Sequence, residues 1–112
     1  MLTKLFKAID NKDSVAFTSF LSPDCCFRFG NLPEVRGTAD IQGFVAGFFG
    51  SILALSHRIE EYWDIPDGLV CHGKVTYTRL DGSTLTVPFA NIFKRDVDGI
   101  RDYAIYADTS AL

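Results

Sequence analysis

The chain has 112 residues, 47% of them hydrophobic, and a formal net charge of −3 at neutral pH. This length predicts a single domain over residues 1–112, and so high an apolar content excludes a disordered chain. The negative charge and the absence of a Lys/Arg cluster remove the electrostatic basis for binding nucleic acid or an anionic membrane.

The first twenty residues are predicted to be helical. Apolar residues recur at helical spacing between residues 3 and 10, which predicts the first helix. Asp13 is placed to cap a second helix, which Ser22-Pro23-Asp24 should end. The charges interspersed in residues 1–13 leave no signal-peptide core and no membrane span, so we expect a cytoplasmic protein.

A short strand and a third helix are predicted next. Residues 25–29 alternate so that Phe27 and Phe29 share one side of a strand. The three cysteines are an odd count and two are adjacent, which speaks against a disulfide framework and favours a reducing compartment. Thr38 is predicted to cap a helix whose apolar residues follow the 3.6-residue period over residues 41–52.

From residue 56 the apolar period switches to two, which indicates an antiparallel sheet. The predicted strands cover residues 57–65, 69–79, 84–95 and 100–107. A three-residue loop with Gly82 in the left-handed conformation suits the connection between the second and third of these strands. This choice sets Tyr77 opposite Leu85 and Val75 opposite Val87, and it keeps one face of the hairpin apolar.

The order of these elements resembles the SnoaL-like branch of the nuclear transport factor two-like superfamily. The motifs that carry the resemblance are Val35-Arg36-Gly37-Thr38, Asp98-Gly99-Ile100 and Tyr106-Ala107-Asp108, and the likeness spans nearly the whole chain. It implies an α+β fold, a cone-shaped roll in which three N-terminal helices pack on a curved, mostly antiparallel sheet and enclose an apolar pocket. The superfamily fold carries isomerases, cyclases, epoxide hydrolases, dehydratases and non-catalytic modules, so the fold does not determine the activity.

The catalytic residues of three enzyme families with this fold do not carry over to the chain. Matching to ketosteroid isomerase puts Phe29 at the position of the Asp base, Leu5 at that of the Tyr and Asn91 at that of the second acid. The Arg and Asp of limonene epoxide hydrolase resemble Arg79-Leu80-Asp81, which lies at a predicted hairpin tip. The final-strand Asp of SnoaL-type cyclases corresponds to Ile105.

Asn91 is the strongest polar candidate for a site, because it lies on an otherwise apolar strand face. A buried amide must be hydrogen-bonded, either to a ligand or to a tyrosine or water inside the protein. Tyr103 is a second candidate donor. Glu61 is a weaker candidate for a general acid or base if it faces the pocket beside Trp63, with a solvated position at the sheet rim as the alternative. The predicted ligand-binding residues are Phe27, Phe29, Phe48, Trp63, Tyr77, Phe89, Asn91, Tyr103 and Ile105.

Other polar residues favour structural roles. His57 lies near a strand start, where a solvated or capping histidine is expected. Neither His57 nor His72 has a Cys or carboxylate at ligand spacing, so the sequence predicts no metal site, and we expect no cofactor. Asp108 is expected to order the C-terminal segment or to pair with Arg36 or Arg28.

The sequence therefore predicts a pocket protein for a small apolar molecule with one carbonyl or hydroxyl group. An enzyme of this kind would catalyse a cofactor-independent isomerisation, cyclisation or dehydration. The alternative is a non-catalytic ligand-binding or dimerisation module of the same fold. The outer sheet face, with Ile92 and Tyr106 among small residues, predicts a homodimer formed through that face.

Overall fold

Three helices cover one face of a six-stranded sheet in the computed structural model, which describes residues 2–112. The helices are α1 (Leu2–Asp10), α2 (Ser14–Thr18) and α3 (Thr38–Gly50). The strands are β1 (Leu21–Phe29), β2 (Val35–Arg36), β3 (Ala54–Ile65), β4 (Gly68–Thr78), β5 (Thr84–Asp96) and β6 (Gly99–Ala107). The sheet order is β2-β1-β6-β5-β4-β3, in which β1 and β6 run parallel and the other neighbours antiparallel. The predicted α+β architecture is confirmed.

The β4–β5 hairpin has the predicted register. Tyr77 pairs with Leu85 and Val75 with Val87, and Gly82 adopts a φ of 88° in the connecting loop. A side chain at that φ would be strained, whereas glycine adopts it freely. The register gives the helix-facing side of the hairpin an apolar surface for the core.

Several element boundaries differ from the prediction. Helix α2 ends at Thr18, and the Ser22-Pro23-Asp24 segment lies inside β1 rather than after a helix. The pairing of β1 with β6 is irregular between Leu21 and Cys26, which is where a proline without an N–H can be accommodated. The N-cap of α3 is Gly37 and not Thr38, and no side-chain hydrogen bond caps this helix.

A β-bulge in β3 reverses the faces of its second half. The register with β4 shifts between Ile59 and Glu61, and a Cβ on Gly73 would lie only 1.8 Å from the carbonyl oxygen of Arg58. Glycine therefore makes room for the bulged backbone. Beyond the bulge, Glu61 pairs with His72 and Trp63 with Val70, on the outer face of the sheet.

The turn between α1 and α2 is hydrogen-bonded to the segment just before β3. Lys12, at a φ of 56°, donates from Nζ to the carbonyl oxygens of Ile52 and Leu53 at 3.0 and 3.1 Å. Asp13 caps α2 as predicted, since its carboxylate accepts from the amide of Ala16 at 3.0 Å. These contacts hold the C-terminal end of α1 beside β3.

No helix within residues 2–112 has the length and apolarity needed to cross a membrane.

Candidate functional site

A cavity lies between the three helices and the inner face of the sheet. Its volume is about 40 Å³, which is room for about three water molecules. Aromatic rings form most of its wall, with Phe48 5.0 Å from Phe29 and 5.9 Å from Tyr77 between ring centroids. The lining residues are Phe6, Ile9, Phe17, Phe27, Phe29, Phe44, Val45, Phe48, Phe49, Leu55, His57, Tyr77, Phe89, Asn91, Tyr103 and Ile105.

The cavity wall contains all of the predicted ligand-binding residues except Trp63. The indole of Trp63 is 47% exposed and stacks on His72 outside the sheet, with ring centroids 5.6 Å apart. Glu61 also lies outside, with its side chain 64% exposed and Oε1 3.4 Å from Nε2 of His72. The β3 bulge is the reason for both differences, because a regular strand would have brought these two side chains to the inner face.

Asn91 carries a buried polar atom that has no partner in the part of the chain that the structure describes. The residue is 2% exposed and lies on β5 between Phe89 and Phe93, opposite Cys71 on β4 and Ile105 on β6. Its Oδ1 accepts no hydrogen bond from any residue in 2–112. Leaving such a group unpaired costs about 1–3 kcal/mol. The alternative that a tyrosine hydroxyl satisfies this oxygen therefore does not hold.

The two cavity tyrosines are neutral phenols. Burial raises the pKa of Tyr77 to about 12. Burial, followed by the nearby thiols of Cys71 and Cys25, raises the pKa of Tyr103 well above its usual value. Tyr103 is also tightly packed, with its ring 4.6 Å from Phe93. At neutral pH these side chains can donate hydrogen bonds, but they cannot act as bases.

A histidine–aspartate pair borders the cavity. Nδ1 of His57 lies 2.6 Å from Oδ1 of Asp10, the last residue of α1. The backbone amide of His57 donates to Oδ2 of the same carboxylate at 3.0 Å. The His57 ring packs between Phe6 at 4.8 Å and Phe89 at 5.1 Å, and its side chain is 10% exposed.

The sequence pattern predicts a solvated or capping His57 and does not predict this pair. The partners are 47 residues apart, so local spacing gives no sign of their contact. The available signal was the alternation of β3, which puts His57 on the same inner face as Leu55 and Ile59 before the bulge.

The remaining candidates are structural. Oδ1 of Asp108 accepts from the amide of Ser110 at 3.0 Å and so orders the C-terminal segment, while Arg36 pairs with Glu34 at 3.2 Å. Burial is the main cause that raises the pKa of the Cys25 thiol to about 12. Within residues 2–112, no group of three His, Cys, Asp or Glu side chains is arranged to hold a metal ion.

Comparison with solved structures finds the same architecture at low sequence identity. An NTF2-like protein of unknown function from Burkholderia pseudomallei has a TM-score of 0.88 at 14% identity, covering 98% of this chain and 89% of that one. A protein from Jannaschia sp. CCS1, provisionally described as a SnoaL-like polyketide cyclase, has a TM-score of 0.84 at 17% identity, covering 98% and 84%. TerC, co-crystallised with polyporic acid, has a TM-score of 0.84 at 20% identity, covering 98% and 90%. These similarities establish the fold alone.

The family assignment comes from the sequence itself. A search of curated proteins finds no match. The family profile described as the SnoaL-like domain matches residues 2–103, which include all three helices and most of the sheet. The chain belongs to the SnoaL-like domain family.

Proposed function

We propose that this protein binds a small, planar, apolar molecule with one carbonyl or hydroxyl group in the aromatic cavity. The observation that carries the proposal is the buried Oδ1 of Asn91, which has no hydrogen-bond partner within residues 2–112. A ligand hydroxyl can donate to Oδ1, and rotation of the amide by 180° lets Nδ2 donate to a ligand carbonyl. A ligand hydroxyl that donates to Oδ1 removes the cost of leaving that oxygen unpaired.

The wall of the cavity favours a flat ring compound. Phe29, Phe48 and Tyr77 contact one another at tilted or edge-on angles, and such faces pack well against another planar ring. TerC supports this ligand class, because it shares the fold and was co-crystallised with polyporic acid.

A ring compound needs more room than about 40 Å³, so part of the wall has to move on binding. We assign this movement to α3, which carries the half-buried Phe44 and Phe48 over the cavity. A Cβ added at Gly43, Gly47 or Gly50 would meet nothing within 4 Å, so packing does not require these glycines. Gly43 and Gly47, which lie in the helix interior, each weaken the helix by about 1 kcal/mol relative to alanine. Helix α3 is thus less stable than the same helix with alanine at these positions, which favours its movement away from the cavity.

A non-catalytic dimerisation module is the second candidate. The outer sheet face exposes Trp63 and Tyr106, which is 54% exposed. Exposed aromatic residues on a sheet face are typical of an interface. We propose that two copies of the chain associate through this face, whether or not the cavity is used for catalysis.

The binding proposal is tested with three bicyclic probes that differ in one group: indane, 1-indanone and 1-indanol. Saturation-transfer NMR titrations give the affinity of each probe for the wild type and for Asn91→Leu. One net hydrogen bond is worth about 1 kcal/mol, or about fivefold in affinity. We expect indanone or indanol to bind about fivefold more tightly than indane, and this difference to vanish in Asn91→Leu. Equal affinities of the wild type for all three probes would refute the role of Asn91.

A further inference from the structure

We infer that Phe48 limits the size of the ligand and is therefore the residue that determines the specificity of the cavity. The wild type takes compounds of one or two fused rings, and Phe48 excludes a third ring. The inference rests on the proposed function, because it needs a ligand in the cavity. Its test compares two ligands with each other, so it can fail while the binding proposal stands.

The ring of Phe48 spans the inner face of the sheet. Its centroid lies 5.0 Å from that of Phe29 on β1 and 5.9 Å from that of Tyr77 on β4. These two strands are not neighbours, because β6 and β5 lie between them in the sheet. Phe44, one turn earlier on α3, packs on β1, with its ring 5.8 Å from Phe27. Phe48 therefore connects two sides of the wall that the sheet itself holds apart.

The sheet side of the wall cannot provide room for a larger ligand. Phe29, Tyr77 and Phe89 are buried and project from strands that each have a hydrogen-bonded neighbour on both sides. An outward movement of such a strand would break the hydrogen bonds of its ladders. Helix α1 is also restrained, because the turn after it is hydrogen-bonded through Lys12.

The wall is adjustable at Phe48. The side chain lines the cavity but is only half-buried, so part of its ring faces solvent. The helix that carries it has no side-chain cap at its N-terminus. A ligand that needs more space must displace this ring and lose its contacts with Phe29 and Tyr77. Extra carbon atoms in a close-packed wall also force side chains away from their preferred rotamers, so each added ring is opposed at this position.

Truncation of Phe48 supplies the space that a third ring needs. Phe48→Ala removes a complete benzene ring from the wall, and 9-fluorenone has one more fused benzene ring than 1-indanone. The space that the substitution opens therefore matches the part of 9-fluorenone that the wild-type wall excludes. Both compounds carry one carbonyl group, so both can make the same polar contact with Asn91.

The test is a set of saturation-transfer NMR titrations of the wild type and Phe48→Ala with 1-indanone and 9-fluorenone. A single methylene group already changes discrimination by an apolar pocket about tenfold or more, and a fused ring is larger. We expect the Kd of 9-fluorenone, divided by that of 1-indanone, to fall about tenfold or more in Phe48→Ala. Phe20→Ala is the matched control and should keep the wild-type ratio, because Phe20 is also half-buried but lies outside the cavity wall.

Thermal melts first establish that each variant is folded. If Phe48→Ala is not, Phe48→Leu replaces it and should change the ratio in the same direction. Binding of 1-indanone with an unchanged ratio in the folded Phe48 variant overturns the inference and leaves the binding proposal standing. An equal change in Phe20→Ala also overturns it, since the effect would then come from a general loss of packing. Failure of both compounds to bind the wild type and the Phe48 variant refutes both proposals.

Discussion

Replacing Asn91 with leucine should stabilise the empty protein. The residue is 2% exposed, and no other residue within 2–112 donates a hydrogen bond to its Oδ1. A buried oxygen without a partner costs about 1–3 kcal/mol. Leucine removes that cost, and its additional volume can enter the adjacent cavity of about 40 Å³. We therefore expect the free energy of unfolding to rise by about 1–3 kcal/mol. At about 4 °C per kcal/mol for a domain of this size, the melting temperature should rise by about 4–12 °C.

The assay is urea unfolding at pH 7, followed by far-ultraviolet circular dichroism without any ligand. The unfolding midpoint should rise with an unchanged slope, since the surface exposed on unfolding stays the same. Asn31→Leu, the same substitution at an exposed loop position, is the control and should change stability by less than about 0.5 kcal/mol. A loss of more than about 1 kcal/mol in Asn91→Leu would mean that the protein itself satisfies the amide, and the interpretation of Asn91 as a ligand contact would fail.

Three further predictions concern the rest of the fold. Gly47→Ala should raise the free energy of unfolding by up to about 1 kcal/mol. Gly73→Ala should lower it, because the added Cβ would meet the carbonyl group of Arg58. Thermal melts that rank the two variants in the opposite order would contradict this. Stability should fall between about pH 9 and pH 12, because burial raises the pKa of Cys25 and Tyr77 to about 12 each and the unfolded chain therefore loses these protons first. Equal urea midpoints at pH 8 and pH 10.5 would be inconsistent with this. The molar mass of the wild type by light scattering should be that of a dimer, and Trp63→Asp should lower it to that of the 12.4 kDa monomer. A monomeric wild type would exclude the proposed interface.

The parts of the fold that the sequence predicts well are governed by local rules. The β4–β5 register depends on the turn chemistry of Gly82 and on keeping one face apolar, and both requirements can be read from adjacent residues. The N-cap of α2 by Asp13 can likewise be predicted from adjacent residues, because the carboxylate accepts from an amide only three residues away. Ligand contact by the predicted cavity residues remains a prediction, although their inward positions follow from the same alternation.

The parts that were missed depend on contacts between distant segments. The β3 bulge depends on how its backbone meets Gly73 on β4, and one extra residue is enough to move Glu61 and Trp63 to the outer face. The pairing of Asp10 with His57 arises only when α1 packs against β3. A residue's face in a strand is therefore predictable only up to the first irregularity.

A ¹⁵N-HSQC spectrum of the side-chain amides reports directly on the contact between Asn91 and a ligand. The chain has only three asparagines and one glutamine, so four side-chain NH₂ pairs are expected, and the Asn91→Leu spectrum identifies the pair that belongs to Asn91. On titration with 1-indanone, we expect a saturable shift of the Asn91 pair, with the pairs of Asn11 and Asn31 unchanged. Saturable binding that leaves the Asn91 pair in place would contradict the central claim that this amide is the polar contact of the cavity.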